Sequence, residues 1–211
     1  MLPGWGNDMA EVWLVTNRKL VKNRCLLKKV ESLCRRGIDG VILREKDLPT
    51  KELYHLAREI RAVTKQYGVK LIVNKSIETA LAVEAEGIHL GSDALPLHNA
   101  RLIVPAYMKI GVSVHSAEEA KTAAAERADY ILAGNVYATA SKPNLAGRGT
   151  AWLSRVVQTV YPLPVLAIGG INESNAGEVL KAGAAGVAAI SGLLVNNNPG
   201  KLIEIIKGQR T

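Results

Sequence analysis

The sequence predicts a single-domain α/β protein, a (β/α)8 TIM-type barrel, and three observations carry that expectation. Along 211 residues a short apolar run, a polar or Gly-rich turn and an amphipathic stretch follow one another eight times. Strict β–α alternation implies a parallel sheet, and eight units are the number that closes a barrel. Nearly half of the residues are apolar and Phe is absent, so the core must be packed from Val, Ile, Leu and Ala. Those side chains suit parallel strands buried on both faces.

The expected strands are VWLVT at 12–16, GVILRE at 40–45, KLIVN at 70–74 and GIHLG at 87–91, then KIGVSV at 109–114, YILAGNV at 130–136, PVLAIGG at 164–170 and GVAAISG at 186–192. Helical patterns lie between them, such as 50–68 and 116–128. The second opens on Ser116 with Glu in its first turn, a capping signal. An open flavodoxin-like sheet uses about five strands and would leave apolar runs unplaced. No linker or low-complexity stretch divides the chain. Residues 1–11 read as a short extension and 12–211 as the barrel domain.

The formal net charge is +8, with much of the excess between Arg18 and Arg36. There Leu26, Leu27, Val30, Leu33 and Cys34 recur at helical spacing, so the neighbouring cations read as the solvated face of a packed helix. No aromatics interleave with them, which argues against nucleic acid. No apolar run approaches the ~20 residues of a membrane span, and the first residues lack the order of a signal peptide. Cys25 and Cys34 stand nine apart in one helical pattern, too far to bridge. Without CxxC or zinc spacing they read as reduced thiols of a cytoplasmic protein. No metal site or cofactor is expected from these motifs.

In such barrels function gathers at the C-terminal ends of the strands. The polar residues there are Thr16 and Asn17, then Arg44, Glu45 and Lys46, then Asn74 and Lys75, then Ser92 and Asp93. Ser113 and His115 follow, then Asn135 with ATASK at 138–142, Gly169 with Gly170, and Ser191 with Gly192. The glycine-rich turns after strands 7 and 8, AIGGI and AISG, allow backbone N–H groups to approach an anion and point to a phosphate site. Alternation sets Arg44 and Lys46 on one side and Glu45 on the other, a cation pair suited to phosphate or carboxylate. Thr139, Ser141 and Lys142 add two neutral donors and a third cation. Of four histidines, only His115 joins a strand end to a useful pKa, although it equally suits starting the next helix; His55, His89 and His98 read as structural.

The motifs LVTN, LREK, IVNKSIETAL, GIHLGSDALP, IGVSVHSAEEA, ADYILAGNVYATASK, GRG, PVLAIGGI and GAAGVAAISG occur in this order from about residue 12 to 195. In this the chain resembles thiamine phosphate synthases and their TenI-like relatives. The synthase joins a hydroxymethylpyrimidine diphosphate to a thiazole phosphate, with Mg²⁺ holding the diphosphate. Its pattern has Gln where this chain has Ile42, and metal-holding Asp residues where this chain has Lys75 and Ala94, with Asp93 one position early. The metal half of a synthase site therefore reads as dismantled, whereas AIGGI, AISG and ATASK keep the phosphate half.

That combination resembles the TenI-like branch, which implies a thiazole tautomerase, an isomerase, and disfavours the synthase. The resemblance implies a phosphorylated thiazole carboxylate as ligand. Arg44 and Lys46 would meet its carboxylate or the pocket rim, and Gly170, Ile190, Ser191 and Gly192 would cradle its phosphate. Gly169, Asn74 and Ser113 complete the expected binding set. The branch has a catalytic His where this chain has Asn135, and an amide cannot shuttle a proton near neutral pH. Asn135 and His115 are the candidate catalytic positions. A tautomerase with an altered proton-transfer group, a diverged synthase and a non-catalytic binding protein all remain open. The resemblance also implies a homodimer.

Overall fold

Eight parallel strands close in sequence order into one barrel, β1 pairing with both β2 and β8. The structure is a computed structural model describing residues 10–21, 26–141, 143 and 145–208. The strands are β1 Glu11–Val15, β2 Gly40–Leu43, β3 Lys70–Asn74, β4 Gly87–Leu90, β5 Lys109–Val114, β6 Tyr130–Gly134, β7 Val165–Ile168 and β8 Gly186–Ala189. The surrounding helices are α1 Leu26–Arg35, α2 Thr50–Gln66, α3 Ile77–Ala82, α4 Leu97–Ile103, α5 Ala117–Ala125, α6 Thr150–Val160, α7 Ala176–Lys181, α8 Ser191–Leu194 and α9 Pro199–Lys207. No helix among the described residues is long and apolar enough to cross a membrane.

Several strands are shorter than their apolar runs. β1 takes in Glu11, the last residue of the expected extension, whose residues 1–9 lie outside the described set. β2 stops at Leu43, so Arg44, Glu45 and Lys46 begin the loop. β7 ends at Ile168 because Gly169 and Gly170 turn at φ 105° and 65°, a region costly for other residues. The ISG of the eighth run leaves the sheet: Leu193 and Leu194 N–H donate to Ile190 O at 3.2 and 2.9 Å and close the first turn of α8.

The core has two compartments. Aliphatic residues fill the shell between barrel and helices, where α1 buries Leu26, Val30, Leu33 and Cys34 and half-buries Leu27. Burial pushes the Cys34 thiol up to about 11; Cys25 lies outside the described residues. The barrel interior departs from the expected all-aliphatic packing. Trp13 and Tyr130 fill it beside Val15, Ile42, Ile72, Leu132, Leu166 and Ala188, with ring centroids 5.2 Å apart. Glycines on neighbouring strands make the room: a Cβ on Gly40 would meet Trp13 at 2.6 Å, and one on Gly111 would meet Tyr130 at 1.9 Å.

The N-terminal end of the barrel is held by carboxylates. The acid before each of β2, β4 and β6 accepts a backbone N–H from the strand before it: Val12 N to Asp39 at 2.7 Å, Leu71 N to Glu86 at 2.7 Å and Ile110 N to Asp129 at 2.8 Å. Each of these acids also holds a cation, respectively Lys207, Arg61 and the pair Arg101 and Lys109. Glu11 completes the set, accepting from Lys70 and from the Trp13 indole at 2.7 Å each.

Candidate functional site

At the opposite end the strand termini surround a cavity of about 310 Å³. Arg44, Lys46, Asn74, Ser113, His115, Asn135, Thr139, Ser141, Gly169, Gly170, Ile190, Ser191 and Gly192 all line it. Lys142 lies outside the described residues. The cavity has two unlike poles. Those poles lie on strands separated by β1 on one side and by β4, β5 and β6 on the other.

The β7–β8 pole is built from backbone. A Cβ on Gly169 would strike Asn135 Cβ at 2.5 Å, and one on Gly170 would strike Ala138 O at 2.4 Å. Both positions of this turn, Gly169 and Gly170, therefore need glycine for space as well as for φ. Ser191 and Gly192 start α8, where leading N–H groups have no partner within the helix. Asn175 Nδ2 donates to Gly170 O at 3.0 Å and fixes the glycine turn from behind.

The β2–β3 pole is built from side chains. Thr16 Oγ1 accepts the Arg44 backbone N–H at 2.9 Å, aligning the start of this loop with the end of β1. Buried Glu45 points away from the cavity, accepting Arg18 N–H at 3.0 and 3.1 Å and the Arg18 guanidinium at 3.3 Å. Arg44 and Lys46 line the cavity and form no salt bridge among the described residues. Lys75 pairs with Asp93. That ammonium, joined by the nearby charge of Lys46, holds the Asp93 carboxyl below the usual range.

His89 forms the floor, a role that β-alternation alone does not reveal. Its Nδ1 lies 3.0 Å from Tyr130 Oη and its Nε2 2.8 Å from Ser113 Oγ. Burial, aided by the charge of Arg44, lowers its pKa to about 3, so the ring is neutral at ordinary pH. Ser113 is thereby oriented from below. The mid-strand position of His89 between two apolar neighbours suggested core packing; the signal available was the polar pair Ser113 and Tyr130 on the next two strands.

The two candidate catalytic positions, Asn135 and His115, line the cavity and also make contacts within their own segments. Asn135 is 4% exposed, and its Nδ2 donates to Tyr137 O at 3.1 Å, Ala146 O at 3.3 Å and Leu145 O at 3.4 Å. This amide ties together the two ends of the loop that carries Thr139 and Ser141. The backbone N–H of His115 donates to Glu119 Oε2 at 2.7 Å, and Glu119 N–H donates to Ser116 Oγ at 3.0 Å. His115 therefore helps start α5, and its ring lies 3.4 Å from the same Glu119 carboxylate.

The donor set bears on the divalent cation that the synthase resemblance implies. Mg²⁺ is held through oxygen ligands, commonly one or two carboxylates with substrate phosphates. Among the described residues Asp93 is the one carboxylate lining the cavity, and an ammonium already occupies it. No cluster of three or more His, Cys, Asp or Glu side chains suited to a metal exists among the described residues. These residues do not fit the ion.

Residues 12–193 match the family described as thiamine monophosphate synthase, TMP-TENI. The chain belongs to this family. It is similar to the thiamine-phosphate synthase of Clostridium acetobutylicum, 36% identical over 205 residues, covering 95% of this chain and 97% of the relative. The thiamine-phosphate synthase of Caldanaerobacter subterraneus subsp. tengcongensis is 40% identical over 183 residues, covering 86% and 85%. Among solved structures, a thiamine phosphate pyrophosphorylase from Pyrococcus furiosus superposes with a TM-score of 0.86 at 33% identity, covering 94% of this chain and 96% of that one.

These relatives overturn the expectation of a TenI-type thiazole tautomerase. Proteins 36–40% identical over most of the chain carry the name of the synthase, a transferase, so both the isomerase assignment and the disfavouring of synthase activity are corrected. The expectation weighed a few substituted positions against similarity along the whole barrel. Those positions were Ile42, Lys75 and Ala94; Asn135, the departure from the tautomerase branch, turns its amide into its own loop.

Proposed function

We propose that this chain is a condensing transferase of the thiamine-phosphate synthase type, joining a pyrimidine carried as its diphosphate to a thiazole carried as its phosphate. One observation supports the reading above all: a single cavity holds two anion-binding poles of different construction, Arg44, Lys46 and Lys75 on one side and the glycine turns with Ser191 on the other. Both substrates of such a transferase are anionic, which gives each pole a partner, and the relatives named as synthases support the same reading.

In this reading the diphosphate lies against Arg44 and Lys46, and the thiazole phosphate against the N–H groups of Gly170, Ser191 and Gly192. Thr139 and Ser141 supply neutral donors between them. The C–O bond to the diphosphate breaks, a C–N bond to the thiazole nitrogen forms, and pyrophosphate leaves. The cations act where charge develops on that leaving group, with no reorganisation needed at the moment of reaction. Ile42, Leu132, Ile168 and Ile190 give the cavity an apolar lining for the two rings. Asn135 acts as a positioning residue for the loop, and the His89–Ser113 pair sets the floor.

The test is to incubate the protein with both substrates and Mg²⁺ and follow thiamine phosphate by NMR against a protein-free control. Product formation in proportion to protein is expected. Binding of both substrates without product would overturn the assignment as a transferase.

A further inference from the structure

We infer that Lys75 supplies the positive charge a divalent cation would bring, so that the β2–β3 pole binds a diphosphate without metal. The inference rests on the two-pole reading of the cavity given above.

The charge count carries the argument. Three cations, Arg44, Lys46 and Lys75, line this pole against one carboxylate, Asp93. With an acid at position 75 and every other residue of this chain unchanged, two cations would face two carboxylates. A diphosphate would then need an added ion to be held at all. Exchanging an acid for a lysine alters the local charge by two, the same charge that Mg²⁺ carries. The substitution therefore removes the need for the ion and makes its entry unfavourable in the same step.

Backbone geometry places this ammonium deliberately. Lys75 follows the last residue of β3 with φ at 65°, and its N–H donates to His89 O at 3.0 Å, so the residue is anchored to the neighbouring strand. Its side chain is 31% exposed, half-sheltered at the mouth, and the Asp93 it meets is 59% exposed. Asp93 thus holds the ammonium at the rim of the cavity that Lys75 lines, and an ammonium has further N–H donors beyond the one this pair uses.

The experiment is calorimetric titration of inorganic pyrophosphate into the whole protein, in EDTA and again in Mg²⁺, corrected for the Mg²⁺–pyrophosphate complex in solution. Binding in EDTA is expected, with Mg²⁺ altering affinity by less than about threefold. Lys75→Asp should bind about thirtyfold more weakly in EDTA and recover with Mg²⁺; Asp tolerates the left-handed backbone at this position. Lys75→Met should lose about tenfold with no recovery in Mg²⁺, which serves as the second variant should Lys75→Asp misfold. Wild-type binding seen in Mg²⁺ alone, or Lys75→Met affinity equal to wild type in EDTA, overturns the inference. Either of those results leaves the transferase reading standing, since that is judged by product formed with Mg²⁺ supplied. Absence of binding in both buffers overturns the anion pole and this inference together.

Discussion

The two ends of the barrel handle charge in opposite ways. At the N-terminal end every carboxylate of the ring, Glu11, Asp39, Glu86 and Asp129, has a cationic partner, and three of them also accept a strand N–H. At the mouth, Arg44 and Lys46 line a cavity without a salt bridge among the described residues, and glycines stand where a side chain would fill space. Satisfied groups stabilise; cations held open beside a cavity select an anion. The difference teaches which end can be changed without unfolding the protein and which cannot.

The largest effect expected at the mouth is Ser191→Asp. It sets a carboxylate against the ligand phosphate and should weaken thiazole phosphate binding by about a hundredfold, with the urea midpoint unmoved. Unchanged affinity in a calorimetric titration would break the assignment of the β7–β8 pole.

At the other end, Asp129→Ala should cost about 2–3 kcal/mol of stability by urea unfolding and leave ligand affinity intact, because it strands Arg101, Lys109 and the Ile110 N–H. Burial works to raise the Asp129 pKa, but Arg101, the Ile110 N–H and Lys109 outweigh it and hold the carboxyl below its ordinary value. A depressed carboxyl contributes stability that is present above its unfolded pKa and lost as pH falls through the folded one. The deficit of Asp129→Ala should therefore shrink below about pH 4. A loss of ligand binding on this substitution would break the separation of the two ends.

The effect at the floor is read as a slope against pH, not as a loss at neutral pH. His89 is neutral when folded, with its pKa at about 3, and the unfolded chain takes up the proton below about 6.5. More protons on the unfolded state means stability rises with pH across that interval. Its contribution falls by about 1.4 kcal/mol for each unit of acidification below 6.5. His89→Gln should flatten this slope between pH 6.5 and 4.5, approximately, in urea midpoints. A slope equal to that of wild type would mean that His89 is protonated in the native state.

What the sequence made legible follows from chain-local physics. Short continuous apolar runs separated by amphipathic helices specify a closed parallel sheet, and Ser116 with Glu119 marks a helix start whose geometry appears as read. Polar residues at strand ends come together for the same reason, since a parallel barrel brings every C-terminal strand end to one face. Direction and pairing were not legible. Nothing local says that the Asn135 amide turns toward Leu145 and Ala146, ten and eleven residues on, or that Lys75 meets Asp93 across two turns. Trp13 and Tyr130 filling the barrel depends on Gly40 and Gly111 on other strands, a fit between residues distant in sequence. The functional misreading had another root: a few substituted positions outweighed a likeness to synthases that runs along the whole barrel.

The carboxylate clips at the closed end also bear on the history open to this chain. They set strand register with residues remote from any ligand, so the mouth can exchange an acid for a lysine at one position while the barrel keeps its alignment. A change of charge at Lys75 therefore acts on what the mouth binds and leaves the contacts that hold the opposite end untouched.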